Sequence, residues 1–277
     1  MAFEPHSFRL GQINILNRKE GVAERYQLLR EHALREELDV IALQEVIHAD
    51  LLADTLAPIG LTHFIAATPV LDGTNPVSDG AAIASRFPLS GARELKLTGS
   101  KRPALTARAS TPWRQVQLFT AHLSWGSDAE GRRLQQAYEL TLAAEEIRLE
   151  DPALPILLAG DLNSDEDSRT SRYLRGQELD HRGGSTYWTD AYTVCGTPEV
   201  WATSDQGNNS HGVVTASNKG IVMPELLPQR RIDYILSYGW SYGKIGCALA
   251  YGRFGDPLTP DGRELSDHYG IWADVLV

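Results

Sequence analysis

The 277 residues carry 26 Lys and Arg against 36 Asp and Glu, a formal charge of −10, with 42% hydrophobic and 22% charged residues. That balance suits a folded, water-facing chain and offers no broad cationic surface for capturing duplex DNA, which depends on Lys and Arg neutralising phosphates. No apolar run approaches the roughly 20 residues of a membrane helix, Met1 to Arg9 lacks the apolar core of a signal peptide, and Cys195 and Cys247 read as free thiols of a reducing, cytoplasmic compartment.

Phe8 to Leu16 alternates apolar and polar residues and predicts a first strand. Val22, Tyr26, Leu29, Ala33 and Leu38 then recur at near-helical spacing among charges, which predicts an amphipathic helix over Val22 to Leu38. Asp39 to Glu45 follows as a buried strand, and strand, helix, strand in that order implies parallel pairing. A short helix is expected over Asp50 to Ala57. Strands are expected over His63 to Ala66, Ala81 to Phe87, Leu105 to Ser110 and Gln115 to Leu123, with a turn at Asp72-Gly73-Thr74-Asn75-Pro76. A second amphipathic helix, Arg132 to Leu149, leads into the apolar run Pro155-Ile156-Leu157-Leu158-Ala159. Gly176 to Arg230 is rich in Gly, Ser, Thr and Asn and reads as long loops on the scaffold, with Trp188 and Trp201 as packing residues. Two late strands, Ile232 to Ser237 and Tyr269 to Val277, complete one α/β domain over 1–277, with two packed sheets and helices outside.

Polar residues gather at the ends of these strands: Asn14, Gln44-Glu45, Arg102, His122, Asp161 with Asn163, Asp233, and Asp267-His268. Each interrupts or follows an apolar run, a costly position unless the group pairs or binds something. Asp161 and Asn163, two apart at the end of an extended run, should point to the same side. A carboxylate beside a carboxamide suits a hydrated metal, an attacking water or a phosphoryl oxygen. His6, His32, His48, His63, His181 and His211 match no such pattern and read as structural or surface residues.

Taken in order, Ile13-Asn14, Leu43-Gln44-Glu45-Val46, Asp79-Gly80-Ala81-Ala82-Ile83, Thr120-Ala121-His122-Leu123, Gly160-Asp161-Leu162-Asn163-Ser164, Arg231-Ile232-Asp233-Tyr234-Ile235 and Ser266-Asp267-His268-Tyr269 resemble the endonuclease/exonuclease/phosphatase (deoxyribonuclease I-like) superfamily from end to end. The resemblance implies a four-layer α/β sandwich of two mixed sheets flanked by helices. It implies a metal-dependent phosphoesterase using Mg²⁺, or Mn²⁺, with Glu45 as the principal ligand and Asn14 and Asp267 beside it. Asp161 would orient or deprotonate the attacking water, and Asn163 and Arg102 would hold the phosphate. Asp233 would pair with His268, and His122 would donate to the pentacovalent centre.

Ser78 stands where nuclease branches often carry a phosphate-touching tyrosine, and the Asp79-Gly80 and Gly160-Asp161 segments look closer to deadenylase-like and tyrosyl-DNA phosphodiesterase-like members. The leading expectation is a phosphodiesterase acting on nucleic acid or a nucleotide-like ester, without an obligate protein partner. The alternatives are a lipid or sugar phosphate hydrolase, disfavoured by few basic residues (Lys219, Arg230, Arg231) and no docking hairpin, and a non-catalytic binding module on the same fold.

Overall fold

The computed structural model describes residues 6–71, 78–180, 182–256 and 263–277. The Asp72–Pro76 turn, His181 and the first five residues lie outside them. The chain enters through β1 (Ser7–Asn14), crosses over α1 (Val22–Arg35) and returns in parallel as β2 (Val40–Val46). The crossover packs down because Tyr26, Leu29 and Ala33, at helical spacing, are all buried. After α2 (Ala49–Leu56), β3 (His63–Ala66) and β4 (Gly80–Ser85) extend this sheet antiparallel.

The second sheet begins with the antiparallel meander β5 (Leu89–Leu95), β6 (Ala104–Ser110) and β7 (Gln115–His122). Helix α3 (Glu130–Glu150) then brings β8 (Ile156–Asp161) back parallel to β7. Next come α4 (Arg169–Leu174), β9 (Trp188–Asp190), α5 (Ala191–Cys195) and α6 (Ser210–Asn218). Strand β10 (Asp233–Tyr238) joins the second sheet, while β11 (Ala248–Phe254) and β12 (Gly270–Leu276) return to the first. The sheet orders are β11-β12-β1-β2-β4-β3 and β5-β6-β7-β8-β10-β9.

Strand alternation builds the layers. Phe8, Leu10, Val40, Ala42 and Ile83 of the first sheet meet Leu105, Leu118, Leu157, Ala159 and Ile235 of the second in one core between the sheets. The opposite faces, Ile13, Ile41 and Leu43 on one side and Phe119, Ile156 and Leu158 on the other, bury against α1–α2 and α3–α4. The result is a four-layer α/β sandwich. Among the described residues no helix is long and apolar enough to cross a membrane.

Gly176 to Arg230 is more ordered than its composition implies. It contains β9, α5 and α6, whose starts are capped: Asp190 accepts from Tyr192 N at 3.0 Å and Asn209 from Gly212 N at 2.9 Å. The Asn content that reads as loop supplies the cap of α6, and Asp190 supplies that of α5. Strand β5 carries no burial signal because it is an exposed edge. Trp188 is fully buried and donates from Nε1 to Thr141 Oγ1 at 3.1 Å, a packing residue.

Arg231 ties this region to the second sheet. Its side chain is wholly buried, lies 4.7 Å from the ring centre of Tyr192 and 4.4 Å from that of Tyr234, and meets Asp190 at 2.7 Å. Removing one partner of such a pair strands the other charge in a place water does not reach. Arg231→Met should therefore lower unfolding stability by about 3–5 kcal/mol in a denaturant titration. A loss below about 1 kcal/mol, the range of solvent-exposed pairs, would show that the pair is not sealed from water.

Candidate active site

The core between the sheets changes character at one end. On β1 the inward positions run Phe8, Leu10, then Gln12 and Asn14; on β7 they run Val116, Leu118, then Thr120 and His122. Register aligns the polar ends into rows. His122 pairs with Asp161 and Asp161 with Asp233 across β7, β8 and β10, while Asn14 pairs with Gln44 across β1 and β2. Gly160 lets β7 and β8 approach this closely, since a Cβ there would lie 2.3 Å from the Ala121 carbonyl oxygen.

Asp161 is the hub. Its Oδ2 accepts from Asn14 Nδ2 at 3.0 Å and stands 3.5 Å from His122 Nε2 and 3.8 Å from His268 Nε2. Its Oδ1 accepts the Asn163 backbone N–H at 2.9 Å. His268 Nδ1 lies 2.9 Å from Asp233 Oδ2, and Asp233 Oδ1 accepts from Gln12 at 2.9 Å. Burial alone would push the His268 imidazole down, but the charges of Asp233 and Asp161 and the hydrogen bond to Asp233 outweigh it and raise it well above 6.5. Burial pushes His122 the other way, below the ordinary value, with Asp161 only partly offsetting it. The two histidines facing Asp161 are thus pushed in opposite directions, His268 toward the imidazolium and His122 toward the neutral ring.

A second acidic group stands opposite. Glu45 Oε1 accepts from Asn14 Nδ2 at 3.1 Å and lies 3.8 Å from His122 Nδ1, a buried nitrogen with no hydrogen-bond partner. Its Oε2 accepts Asn17 N–H at 2.8 Å. Burial, then the charges of Asp267 and Asp79, push the Glu45 carboxyl up to about 7. Asp79, wholly buried, is held by Asn17 Nδ2 at 2.6 Å and by Arg102 Nε at 2.6 Å and Nη2 at 2.8 Å. Asp267 accepts from Thr215 of α6 at 3.1 Å.

A hard divalent cation fits this donor set. Glu45 and Asp267 present carboxylate oxygens, and their mutual repulsion, visible in the raised Glu45, is what a bound cation would relieve. Asp161, Asp233 and His268 also bring one donor atom each within 4.8 Å of one another. In that trio the His268 ring stands between the two carboxylates, with Nδ1 2.9 Å from Asp233 Oδ2 and Nε2 3.8 Å from Asp161 Oδ2.

Two backbone devices aim these groups. Strict alternation would turn Glu45 away from Gln44, toward the α1–α2 layer. A bulge between Leu43 and Val46, with Glu45 at φ 60°, brings its carboxylate round to the site instead. Asn163 also departs from the extended geometry read from sequence. Strand β8 ends at Asp161, and Asn163, at φ 49°, reaches the site by a turn, donating from Nδ2 to the Leu123 carbonyl at 3.1 Å. Non-glycine residues in this region are rare and concentrate at functional sites.

The structure therefore brings Asn14, Glu45, Arg102, His122, Asp161, Asn163, Asp233, Asp267 and His268 to one end of the sandwich. Arg102 reaches it as the partner of Asp79. Asn14 uses its amide nitrogen to bridge Glu45 and Asp161, and its oxygen accepts from Leu16 N at 3.1 Å. Sequence reasoning did not pick out Gln12, Asn17 or Thr215, nor Thr203, whose hydroxyl accepts the Asp233 N–H at 3.2 Å, and it quoted Ser266 without giving it a role. It quoted Asp79 without giving it a role, although its place before Gly80 at a strand start was a signal; Asn17 lies in the polar stretch between β1 and α1. Of the six histidines read as structural, His32 is buried and pushed down to about 4 by burial, His211 bonds the Glu264 carbonyl at 2.9 Å, and His6 stacks on Trp113. Cys195 and Cys247 are free thiols.

Residues 11–268 match the Endonuclease/Exonuclease/phosphatase family. No curated protein sequence matches the chain. Among solved structures, a truncated TDP2 from Caenorhabditis elegans is 18% identical with a TM-score of 0.70, covering 98% of each chain. TDP2 from D. rerio complexed with single strand DNA product is 18% identical with a TM-score of 0.71, covering 97% of this chain and 98% of that one. The human Nocturnin catalytic domain with bound sulfate anion is 21% identical with a TM-score of 0.63, covering 98% and 95%. These likenesses concern the fold; the match over residues 11–268 concerns the sequence, and by it the chain belongs to the Endonuclease/Exonuclease/phosphatase family, whose members are phosphoesterase hydrolases.

Proposed function

We propose that the chain is one catalytic domain, a Mg²⁺-dependent phosphodiesterase (Mn²⁺ serving as well) that hydrolyses nucleic acid or nucleotide-like esters in the cytoplasm. The observation that carries this reading is the pairing of two opposed groups: Asp161 flanked by a neutral and a cationic histidine, and Glu45 with Asp267 across from them. A binding module has no use for that opposition. Its free cysteines fit a reducing compartment.

In this reading a water is oriented by Asp161, whose Oδ1 is fixed by the Asn163 N–H and whose Oδ2 is turned inward by Asn14. Asp161 takes the proton as the water oxygen bonds to phosphorus. Charge accumulating on the phosphoryl oxygens meets the His268 imidazolium, which Asp233 keeps protonated and oriented, and the His122 N–H. Asn163, with a second amide N–H, and Arg102, steered by Asp79, complete the anion's surroundings. The bond to the leaving oxygen breaks, that oxygen takes a proton from solvent water, and Asp161 returns its own proton to solvent. Mg²⁺ held by Glu45 and Asp267 would supply positive charge against the leaving oxygen.

The nucleic-acid assignment draws on the neighbour that holds single strand DNA product and on the commitment of two of the few basic residues, Arg230 and Arg231, to carboxylates of the fold. Arg231 is buried against Asp190, and Arg230 is bonded to Asp165 at 2.8 Å through both Nε and Nη2.

Hydrolysis of bis-p-nitrophenyl phosphate should require Mg²⁺ or Mn²⁺ and stop with a chelator. Asp161→Ala should reduce kcat at least about a hundredfold; undiminished turnover in that variant would sink the assignment. Mg²⁺ should also raise Tm in a concentration-dependent way, as any ligand of the folded state does, and Glu45→Gln should abolish that shift. The Asp233–His268 pair makes a third expectation. Asp233 favours the charged ring, so its stabilisation is complete below about 6.5 and is lost as pH rises through the higher folded value. In the metal-free protein, Asp233→Asn should bring the His268 titration followed by NMR down from its raised position toward the ordinary imidazole range. An unmoved titration would show that another group holds the proton.

A further inference from the structure

Trp125 lies three residues past His122 in the loop that leaves β7, and 54% of its surface is exposed. Single exposed aromatics are ordinary, but this one stands on an unusually fixed base. Buried Arg133 of α3 donates from Nη1 to the carbonyls of Ser124 at 3.0 Å and Gly126 at 2.7 Å, the residues on either side of it. Glu130 holds that guanidinium at 3.2 and 3.0 Å. Buried Gln136 accepts the Ser124 N–H at 2.9 Å and donates to its hydroxyl at 2.8 Å. Gly126, at φ 104°, turns the chain directly after the indole in a conformation other residues rarely adopt.

The same loop is joined to the catalytic end. Leu123 N–H donates to the Asp161 carbonyl at 2.9 Å, and the Leu123 carbonyl accepts from Asn163. From the other side comes α6. It is anchored by Thr215 to Asp267 and by Asn209 Nδ2 to the Ser266 carbonyl at 2.9 Å. Lys219, four residues beyond Thr215, places its ammonium 5.6 Å from the centre of the Trp125 ring. Two arms, one tied to Asp161 and Asn163 and the other to Asp267, therefore meet at an open indole.

We propose that Trp125 and Lys219 form the subsite for the group flanking the reacting phosphate, and that this group is a nucleobase. The inference rests on the phosphodiesterase reading and narrows its substrate class. A rigid, open π-face loses little conformational entropy when a planar base stacks on it. The ammonium beside it matches the negative charge a nucleotide carries. An acyl chain laid on the same indole would strip water from Lys219 and return nothing to it. A sugar polyphosphate would find one ammonium where it needs several. Trp188 and Trp201 are not open in this way, the first being buried and the second bonded through Nε1 to Glu166 at 2.9 Å.

The test uses two diesters with no aromatic ring other than a base: the thymidine dinucleotide and the same dimer with both bases replaced by hydrogen, each followed by chromatography with Mg²⁺ present. The unaltered protein should prefer the thymidine dimer. Trp125→Ala should reduce that preference, as a ratio of kcat/KM values, about 5- to 100-fold, the span that loss of one base–aromatic stack produces. Trp125→Phe should restore most of it, and Lys219→Ala should raise KM for the thymidine dimer and flatten its salt dependence. Equal losses on both dimers, no loss, or faster Trp125-dependent cleavage of a short-chain phosphocholine diester would overturn the inference. Failure of the protein to cleave either dimer while it cleaves bis-p-nitrophenyl phosphate would overturn it alone; failure on all three would take the phosphodiesterase reading down as well.

Discussion

A continuous line of buried hydrogen bonds crosses between the two sheets at one end of the sandwich, and the site is built on it. Gln44 of β2 donates to Thr120 of β7 at 2.8 Å; Gln12 of β1 donates to Gln44 at 2.8 Å and to Asp233 of β10 at 2.9 Å; Asp233 meets His268, which precedes β12, at 2.9 Å. Each of the first three steps joins strands from different sheets or neighbouring strands of one sheet. Because unpaired polar groups are expensive in such a place, the line fixes how the sheets slide against each other. It is also what sets Asp233 under His268. The interaction that registers the fold and the one that charges the imidazole share a carboxylate.

That arrangement separates charge with economy. Asp161 lies among nitrogens, Glu45 among carboxylates, and Asn14 bridges them by donating to both. The consequence is opposite chemistry in neighbouring groups. Asp233 and Asp161 hold His268 protonated, while Asp267 and Asp79, added to burial, drive Glu45 toward its neutral form. A site that stabilises one cation by design and leaves another cluster short of positive charge is suited to recruiting a divalent ion beside a proton-handling pair. The left-handed backbone at Glu45 and Asn163 is the strain that accompanies this aim, and the bulge and turn that contain it sit within the cluster they serve.

Much of this was legible in the residues. The parallel β1–α1–β2 unit, α3 and the strands flanking it followed from apolar periodicity, because a buried face must repeat with its element. The ordered polar strand ends pointed to Asn14, Glu45, His122, Asp161, Asp233 and His268 together. Less legible were elements whose stability comes from neighbours. Strand β5 is an exposed edge held by β6, and the short helices α5 and α6 depend on Asp190 and Asn209 as caps rather than on any apolar stripe. Asn17 and Thr215 were hidden because a polar residue in a turn or on a helix looks the same whether or not it supports a carboxylate.

Sequence by itself determined the chemistry available and the family: carboxylates, histidines and amides at strand ends, in an order that identifies the chain. Only the tertiary structure decided their states and directions. Which histidine is charged depends on Asp233, 35 residues from His268 in the chain, and on how deeply both are buried. Where Glu45 points depends on one left-handed residue in a bulge that alternation would have misplaced. That Trp125 stands open on a fixed loop, while Trp188 is buried, depends on Arg133, Gln136 and Thr141 of α3. Composition and spacing carry the identity of a group, but its charge and orientation come from neighbours that folding alone brings within reach.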